Sequence, residues 1–229
     1  GACGYAGCAS YAEAIVNEDA PLVKCSPGGA EVAKALAEFM GVEVAVSSER
    51  KVAQVHCTGG KKTSTYKYEY RGIHDCNAAF SLYGGNKDCP YGCLGFGSCI
   101  AVCPADAIYR TDEGLVRVDT KKCISCGKCV EICPTGVIRL VPDSADYIVA
   151  CRSRDKGAVT KKYCSVGCIG CKVCEKKSPE GGFVVENFLA SIDYSKSGER
   201  KSASVGCPSH CIIPLNGSHA ETQEMDEEG

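Results

Sequence analysis

The stretch "CISCGKCVEICP" spaces Cys123, Cys126 and Cys129 three residues apart and sets Cys133 directly before Pro134. In such a C-x2-C-x2-C-x3-C-P run, three thiolates hold one [4Fe–4S] cluster and the fourth cysteine ligates a partner cluster. Soft thiolate sulfur selects iron–sulfur clusters or zinc over hard cations. Structural zinc has no use for a triplet followed by Cys-Pro, so the run points to iron. A partner run, "CPYGCLGFGSCIAVCP", begins at Cys89. Counting back from Cys103-Pro104, its ligands belong at 93, 96, 99 and 103, but residue 96 is Phe. Cys89 is the expected substitute. The spacing predicts one cluster on Cys89, Cys93, Cys99 and Cys133, and a second on Cys123, Cys126, Cys129 and Cys103.

An internal repeat extends the rule. "CPADAIYRTDEGLVRVDTKKC" from Cys103 and "SPEGGFVVENFLASIDYSKS" from Ser178 share a proline, two short apolar segments and an Asp-Lys ending, offset by about 75 residues. "GCIGCKVCEKKSP" then supplies Cys168, Cys171 and Cys174, and the crossing rule takes their fourth ligand from Cys207, before Pro208. The neighbouring cluster would need positions 178, 197, 200 and 203, which hold Ser178, Ser197, Arg200 and Ala203. Its whole ligand set is gone, so the second copy is expected to keep one cluster. At the start of the chain, Cys3, Cys8 and Cys25 form a third group. Three cysteines suit a site with a further ligand before Gly1, a degenerate site, or small buried hydrophobes. Cys57, Cys76, Cys151, Cys164 and Cys211 stay unassigned. Cys164 is the repeat equivalent of Cys89, and Cys57 and Cys151 each follow a V-x pair. Another site across the two halves and ordinary buried thiols are both open.

The elements that must position these residues are short. With 20 cysteines in 229 residues and no tryptophan, the core is small and bound clusters supply part of the folding energy. The cysteine content of about 9% sits in C-x2-C runs within a chain longer than disulfide scaffolds usually are. Residues 1–46 read as a small helical unit; in "EVAKALAEFMG", Val32, Leu36, Phe39 and Met40 share a face and Gly41 ends the helix. Residues 47–88 read as a connecting segment in which "TSTYKYEYRG" alternates like a strand. Residues 89–142 form a two-cluster module, 143–215 a second module with one cluster, and 216–229 an acidic tail. The expected class is α+β: a small helical N-terminal 4Fe-4S domain followed by two bacterial-ferredoxin-like modules.

Three stretches carry a family resemblance: "GACGYAGCASYAEAIV" with "KCSPGG", "YRGIHDCNAAFSLYGGNKDCPYGCLGFGSC", and "KYCSVGCIGCKVCEK". Together they resemble the B subunit of the Rnf complex, the membrane-bound, ion-pumping ferredoxin:NAD oxidoreductase, in its long, cluster-rich form. The resemblance covers nearly the whole chain. It implies that Cys3, Cys8 and Cys25 are ligands completed by a cysteine upstream of Gly1, and that a membrane helix lies further upstream. About four [4Fe–4S] clusters are then expected in the intact protein, one N-terminal, two in the first module and one in the second. The implied role is an electron relay from ferredoxin to the other Rnf subunits, at the cytoplasmic face of the cell membrane.

Two other functions compete at this level: a soluble polyferredoxin or electron-transfer subunit of another anaerobic oxidoreductase, and a non-redox scaffold stabilised by its clusters. No G-x-G-x-x-G opens a helix after a strand, so nucleotide chemistry belongs to partners. The net charge of -2 gives no case for nucleic acid. Many thiols imply a reducing compartment. Arg152, Arg154, Lys156, Lys161, Lys162, Lys172, Lys176 and Lys177 cluster around the second module. They are either an ordinary solvated face or a docking surface for an acidic ferredoxin.

Overall fold

The computed structural model describes residues 3–43 and 49–215; the expected acidic tail and the first two residues lie outside them. Near the N-terminus, helix α1 (Cys8–Glu18) buries Tyr11, Ala14 and Ile15 on one face and ends at Asp19, whose φ of 54° breaks the helix. Helix α2 (Gly29–Met40) ends at Gly41, with φ 68° and its N–H on Ala37 and Glu38 carbonyls. The face that α2 buries is not the one its large residues suggest. Ala33 and Ala37 are inside, Leu36 packs partly, while Phe39 is 86% exposed and Val32 and Met40 are also exposed. The buried cluster of this unit is small, Tyr11, Ala14, Ile15 and Ala20, with Leu36 of α2 packed partly against it.

The rest of the described chain repeats one arrangement twice. In the first copy, strand β1 (Lys51–Val55) is followed by helices α3 (Cys76–Phe80) and α4 (Ser98–Ala101), the hairpin β2 (Ile108–Arg110) and β3 (Val116–Val118), helix α5 (Lys128–Ile132) and strand β4 (Ile138–Pro142). β1 and β4 pair antiparallel, with Ala53 opposite Leu140, and α4 packs on α5. In the second copy, strand β5 (Tyr147–Val149) is followed by helices α6 (Gly157–Tyr163) and α7 (Val173–Lys177), the hairpin β6 (Phe183–Glu186) and β7 (Leu189–Ile192), helix α8 (Lys201–Val205) and strand β8 (Ile212–Pro214). β5 and β8 pair antiparallel, with Ile148 opposite Ile213, and α7 packs on α8.

β5 joins the two copies. Its side chains alternate, as strand geometry requires: Ile148 is buried in the first core and Val149 in the second. Two glycines at equivalent positions fix the cluster loops against the hairpin tips. A Cβ on Gly95 (φ 78°) would lie 2.0 Å from the Gly114 carbonyl, and one on Gly170 (φ 65°) would lie 2.8 Å from the Phe188 backbone.

Residues 47–88 are not a mere connection. They supply β1 and, as described below, two of the cysteines that line cavities. The predicted strand in "TSTYKYEYRG" is an extended loop with isolated bridges at Ser64 and Tyr66. Its alternating tyrosines find other partners: Tyr68 Oη donates to the Leu82 carbonyl, and the Tyr70 ring lies 4.8 Å from that of Phe96.

Candidate iron–sulfur sites

Cys103, Cys123, Cys126 and Cys129 line one cavity. The loop before α5 supplies Cys123 and Cys126, the first turn of α5 supplies Cys129, and Cys103 arrives from the loop after α4. Backbone N–H groups are already aimed at the sulfurs, from Ala53 to Cys123 at 3.5 Å and from Ala107 to Cys103 at 3.4 Å. Cys168, Cys171, Cys174 and Cys207 line a second cavity. In both, the structure joins the cysteines that the crossing rule joins.

The remaining set differs in one member. Cys93, Cys99 and Cys133 line a cavity whose fourth cysteine is Cys76, not Cys89. A cap places it there. Asp75 caps α3 by accepting from the N–H groups of Asn77 and Ala78, both at 2.9 Å. Ser98 Oγ donates to the other Asp75 oxygen at 2.6 Å and accepts from the Cys76 N–H at 2.6 Å. This network ties Cys76 to the start of α4, next to Cys99. Cys89 instead faces a different cavity, with Cys57, Cys151 and Cys164. The signal that pointed to Cys76 was its "DCN" sequence, an Asp cap before a cysteine, but the cysteine stands 17 residues from Cys93 and no spacing rule reaches that far.

The second cavity holds a fifth thiol that the spacing did not assign. Cys211 is 1% exposed, and its sulfur lies 3.6 Å from that of Cys207. Its thiol hydrogen-bonds to Cys207 and Cys168, which pulls their pKa values down to about 5 and about 6. Burial acts the other way at Cys93, Cys129 and Cys174, pushed up to about 11, and at Cys99, pushed up to about 12. These thiols are neutral at neutral pH without metal, so metal binding there must release protons.

The residues present fit clusters better than single ions. Among the described residues no three His, Cys, Asp or Glu groups close on the position of one ion. A tetrahedral zinc would need sulfurs about 3.8 Å apart, from Zn–S bonds of about 2.3 Å. Four thiols around a cavity with aimed N–H donors match a cubane. Ser209 Oγ, buried beside the second cavity, has no protein partner.

The place where the second copy would carry another cluster is filled with side chains. Arg200 is buried and donates to the Gly181 carbonyl at 2.8 Å, to Asp146 at 2.7 Å and to the Lys196 carbonyl. Ser178 is buried and donates to the Glu199 carbonyl, and Ala203 is fully buried. In the N-terminal unit, Cys3 and Cys25 pack against the small core, and Cys8 is exposed at the start of α1.

Of the expected basic surface, Arg154, Lys156, Lys161, Lys162, Lys172, Lys176 and Lys177 are exposed. Arg152 leaves that surface: its guanidinium has buried atoms and lines the cavity of Cys57 and Cys89. Cys171 is exposed beside Lys172, so the second copy's cavity comes close to solvent under the basic face. Among the described residues no helix is long and apolar enough to cross a membrane.

Known proteins bear on these sites. A family described as "4Fe-4S dicluster domain" matches residues 90–140, and one described as "Putative Fe-S cluster" matches residues 1–27. The B subunit of an ion-translocating oxidoreductase complex from Methanosarcina acetivorans is 43% identical over 93% of this chain and 80% of its own length. The B subunit of a proton-translocating ferredoxin:NAD(+) oxidoreductase complex from Clostridium ljungdahlii is 42% identical over 99% of this chain and 81% of its own. The Na(+)-translocating counterpart from Acetobacterium woodii is 45% identical over 93% of this chain, which spans 63% of that relative's length. By its cysteine runs, its cavities and this similarity along nearly its whole length, the chain belongs to the B-subunit family of ion-translocating (Rnf) oxidoreductase complexes.

Proposed function

We propose that the chain is the ferredoxin-facing electron relay of an ion-translocating ferredoxin:NAD oxidoreductase. In this reading Cys76, Cys93, Cys99 and Cys133 hold one [4Fe–4S] cluster, Cys103, Cys123, Cys126 and Cys129 a second, and Cys168, Cys171, Cys174 and Cys207 a third. Cys3, Cys8 and Cys25 belong to a further, N-terminal cluster. Such clusters, when bound by these cysteines, would supply one-electron transfer between reduced ferredoxin and the partner subunits. No bond is made and no proton moves. Flavin and nicotinamide chemistry belong to partner subunits at the cytoplasmic face of the membrane.

The single observation that carries this reading is the set of three cavities, two walled by four cysteines each and one by Cys168, Cys171, Cys174 and Cys207 with Cys211 as a fifth thiol. Electrons enter at the second copy, where Cys171 is exposed among Lys172, Lys176 and Lys177. An acidic ferredoxin would be steered there by charge, which acts mainly on encounter rate. The test mixes ferrous ferredoxin with the anaerobic protein and follows cluster reduction by EPR and stopped flow. Reversing Lys161 and Lys162 to Glu should slow reduction about tenfold at low salt and have little effect at high salt. Clusters that ferredoxin fails to reduce would overturn the relay; unchanged rates at low salt would remove the docking surface alone.

A further inference from the structure

Four more cysteines, Cys57, Cys89, Cys151 and Cys164, line a cavity between the two copies. We propose that they hold a further [4Fe–4S] cluster, which bridges the clusters of the first copy to that of the second. The assignment rests on the geometry of these residues and stands whether or not ferredoxin is the electron donor.

Like the three already described, the cavity is lined by cysteines from separate loops together with small and apolar residues. Its four cysteines come from equivalent positions in the two copies. Cys57 and Cys151 each lie two residues beyond a strand, β1 and β5. Cys89 and Cys164 each stand four residues before the next cysteine, Cys93 and Cys168. The internal repeat therefore contributes one pair from each half to a shared site. Two sulfurs already accept backbone hydrogen bonds, from Cys93 N–H to Cys57 at 3.5 Å and from Ser153 N–H to Cys151 at 3.4 Å. Cys103 and Cys123 receive such bonds in the same way.

Local structure holds the ligands in place. Tyr163 Oη donates to Asp155 at 2.7 Å and lies 2.7 Å from Ser153 Oγ, which ties the Cys151 loop to α6 and so to Cys164. Gly59 has no room for a side chain, since a Cβ there would lie 2.5 Å from Ser64 Oγ and 3.1 Å from the Cys164 sulfur.

A second observation asks for an occupant. The Nε and Nη1 of Arg152 are buried with no partner, and Arg152 lines this cavity. Buried guanidinium donors without an acceptor are unfavourable. A cluster on four thiolates is anionic and offers sulfur acceptors to them.

The position explains why such a site is useful. Cys57 touches the backbone of Cys93, a residue of the first copy's cavity. The Cys168 backbone, in the second copy's cavity, lies against the Cys151 sulfur. One electron arrives on the bridging cluster from one neighbour and leaves to the other, and no proton is exchanged.

The test counts iron, sulfide and zinc per chain in the anaerobically prepared protein. Cys89→Ser and Cys151→Ser should each lose about four irons and four sulfides, the content of one cubane, and the double variant should lose the same four. Full iron retention in either variant, loss of about eight irons in the pair, or zinc in place of iron would overturn the proposal. Native mass spectrometry of the Cys8→Ser chain avoids any disturbance of this cavity, because Cys8 lies in the separate N-terminal core. It should carry four clusters; three would overturn the site.

Discussion

Arg200 offers the sharpest test of how the second copy survives without its other cluster. Its guanidinium is 8% exposed and is paired with Asp146, which is 43% exposed. It also donates to the carbonyls of Gly181 and Lys196 and lies 5.6 Å from the Tyr194 ring. Arg200→Ala removes two hydrogen bonds to carbonyls, each worth about 1 kcal/mol. Asp146 regains water, so the ion pair adds only about 0.5 kcal/mol. The packed stem and ring contact add about 1 kcal/mol. The expected loss is therefore about 3 to 4 kcal/mol. In anaerobic urea unfolding, at about 2 kcal/mol per molar, the midpoint should fall by about 1.5 to 2 M. Iron content should not change, because no cluster sits there. A stability loss under 1 kcal/mol would show that Arg200 does not plug the site, and a loss of iron from the folded variant would refute the vacated position.

The remaining predictions concern the cavities. Cys76→Ala should lose about four irons, the content of one cubane, and iron retention would remove Cys76 as a ligand. Cys211→Val, which copies Val137 of the first half, should keep all iron and lower the potential of the second copy's cluster. A lost thiol hydrogen bond of about 1 kcal/mol corresponds to roughly 40 mV for one electron, read by redox titration with EPR; an unchanged potential would refute the bond. Ser178→Cys alone should add no iron, since Ser197, Arg200 and Ala203 still block the set. The metal-free protein should be alkali-labile. Burial raises Cys89 and Cys99 to about 12 and Cys93, Cys129, Cys151 and Cys174 to about 11. A raised pKa is stability present below the unfolded value and lost as pH climbs through the folded one. Urea midpoints should thus fall between about pH 9 and 12, while the cluster-loaded protein shows no such fall. Cys168 and Cys207, lowered to about 6 and about 5, run the other way and lose their share as pH falls through those values.

Sequence spacing grouped the same cysteines as the fold does where they are close in the chain. Cys123 and Cys126 sit in the loop before α5 and Cys129 in its first turn, and the cysteine that the motif pairs with them, Cys103, lines the same cavity. The same rule gave Cys207 to the second copy and marked Ser178, Ser197, Arg200 and Ala203 as a vacated set, which the buried Arg200 network fills. It failed where tertiary structure supplies the ligand. Nothing in periodicity says that "KVAQV" pairs with β4, or that an Asp75 cap swings Cys76 onto α4. Composition misled at α2 as well: the large residues mark a face, but the residues buried are Ala33 and Ala37.

Cys89 shows what the sequence held and local counting hid. By the repeat, Cys89 and Cys164 are equivalent. If Cys89 served the cluster of Cys93 and Cys99, Cys164 would serve the cluster of Cys168, Cys171 and Cys174. That cluster already has Cys207, so Cys164 has no vacancy there. Equivalence then forces both residues out of their own modules and towards each other. Cys57 and Cys151, equivalent in turn as the cysteines after β1 and β5, meet them. In the proposed assignment, with Cys89 withdrawn, the first copy has Phe96 where the motif expects a cysteine, and Cys76 lines that cavity instead. Phe96, the Asp75 cap that holds Cys76 and the four shared cysteines are then parts of one arrangement: a pair of cysteines from each copy turns to the seam, and the first copy's own cavity draws its fourth cysteine from an upstream loop.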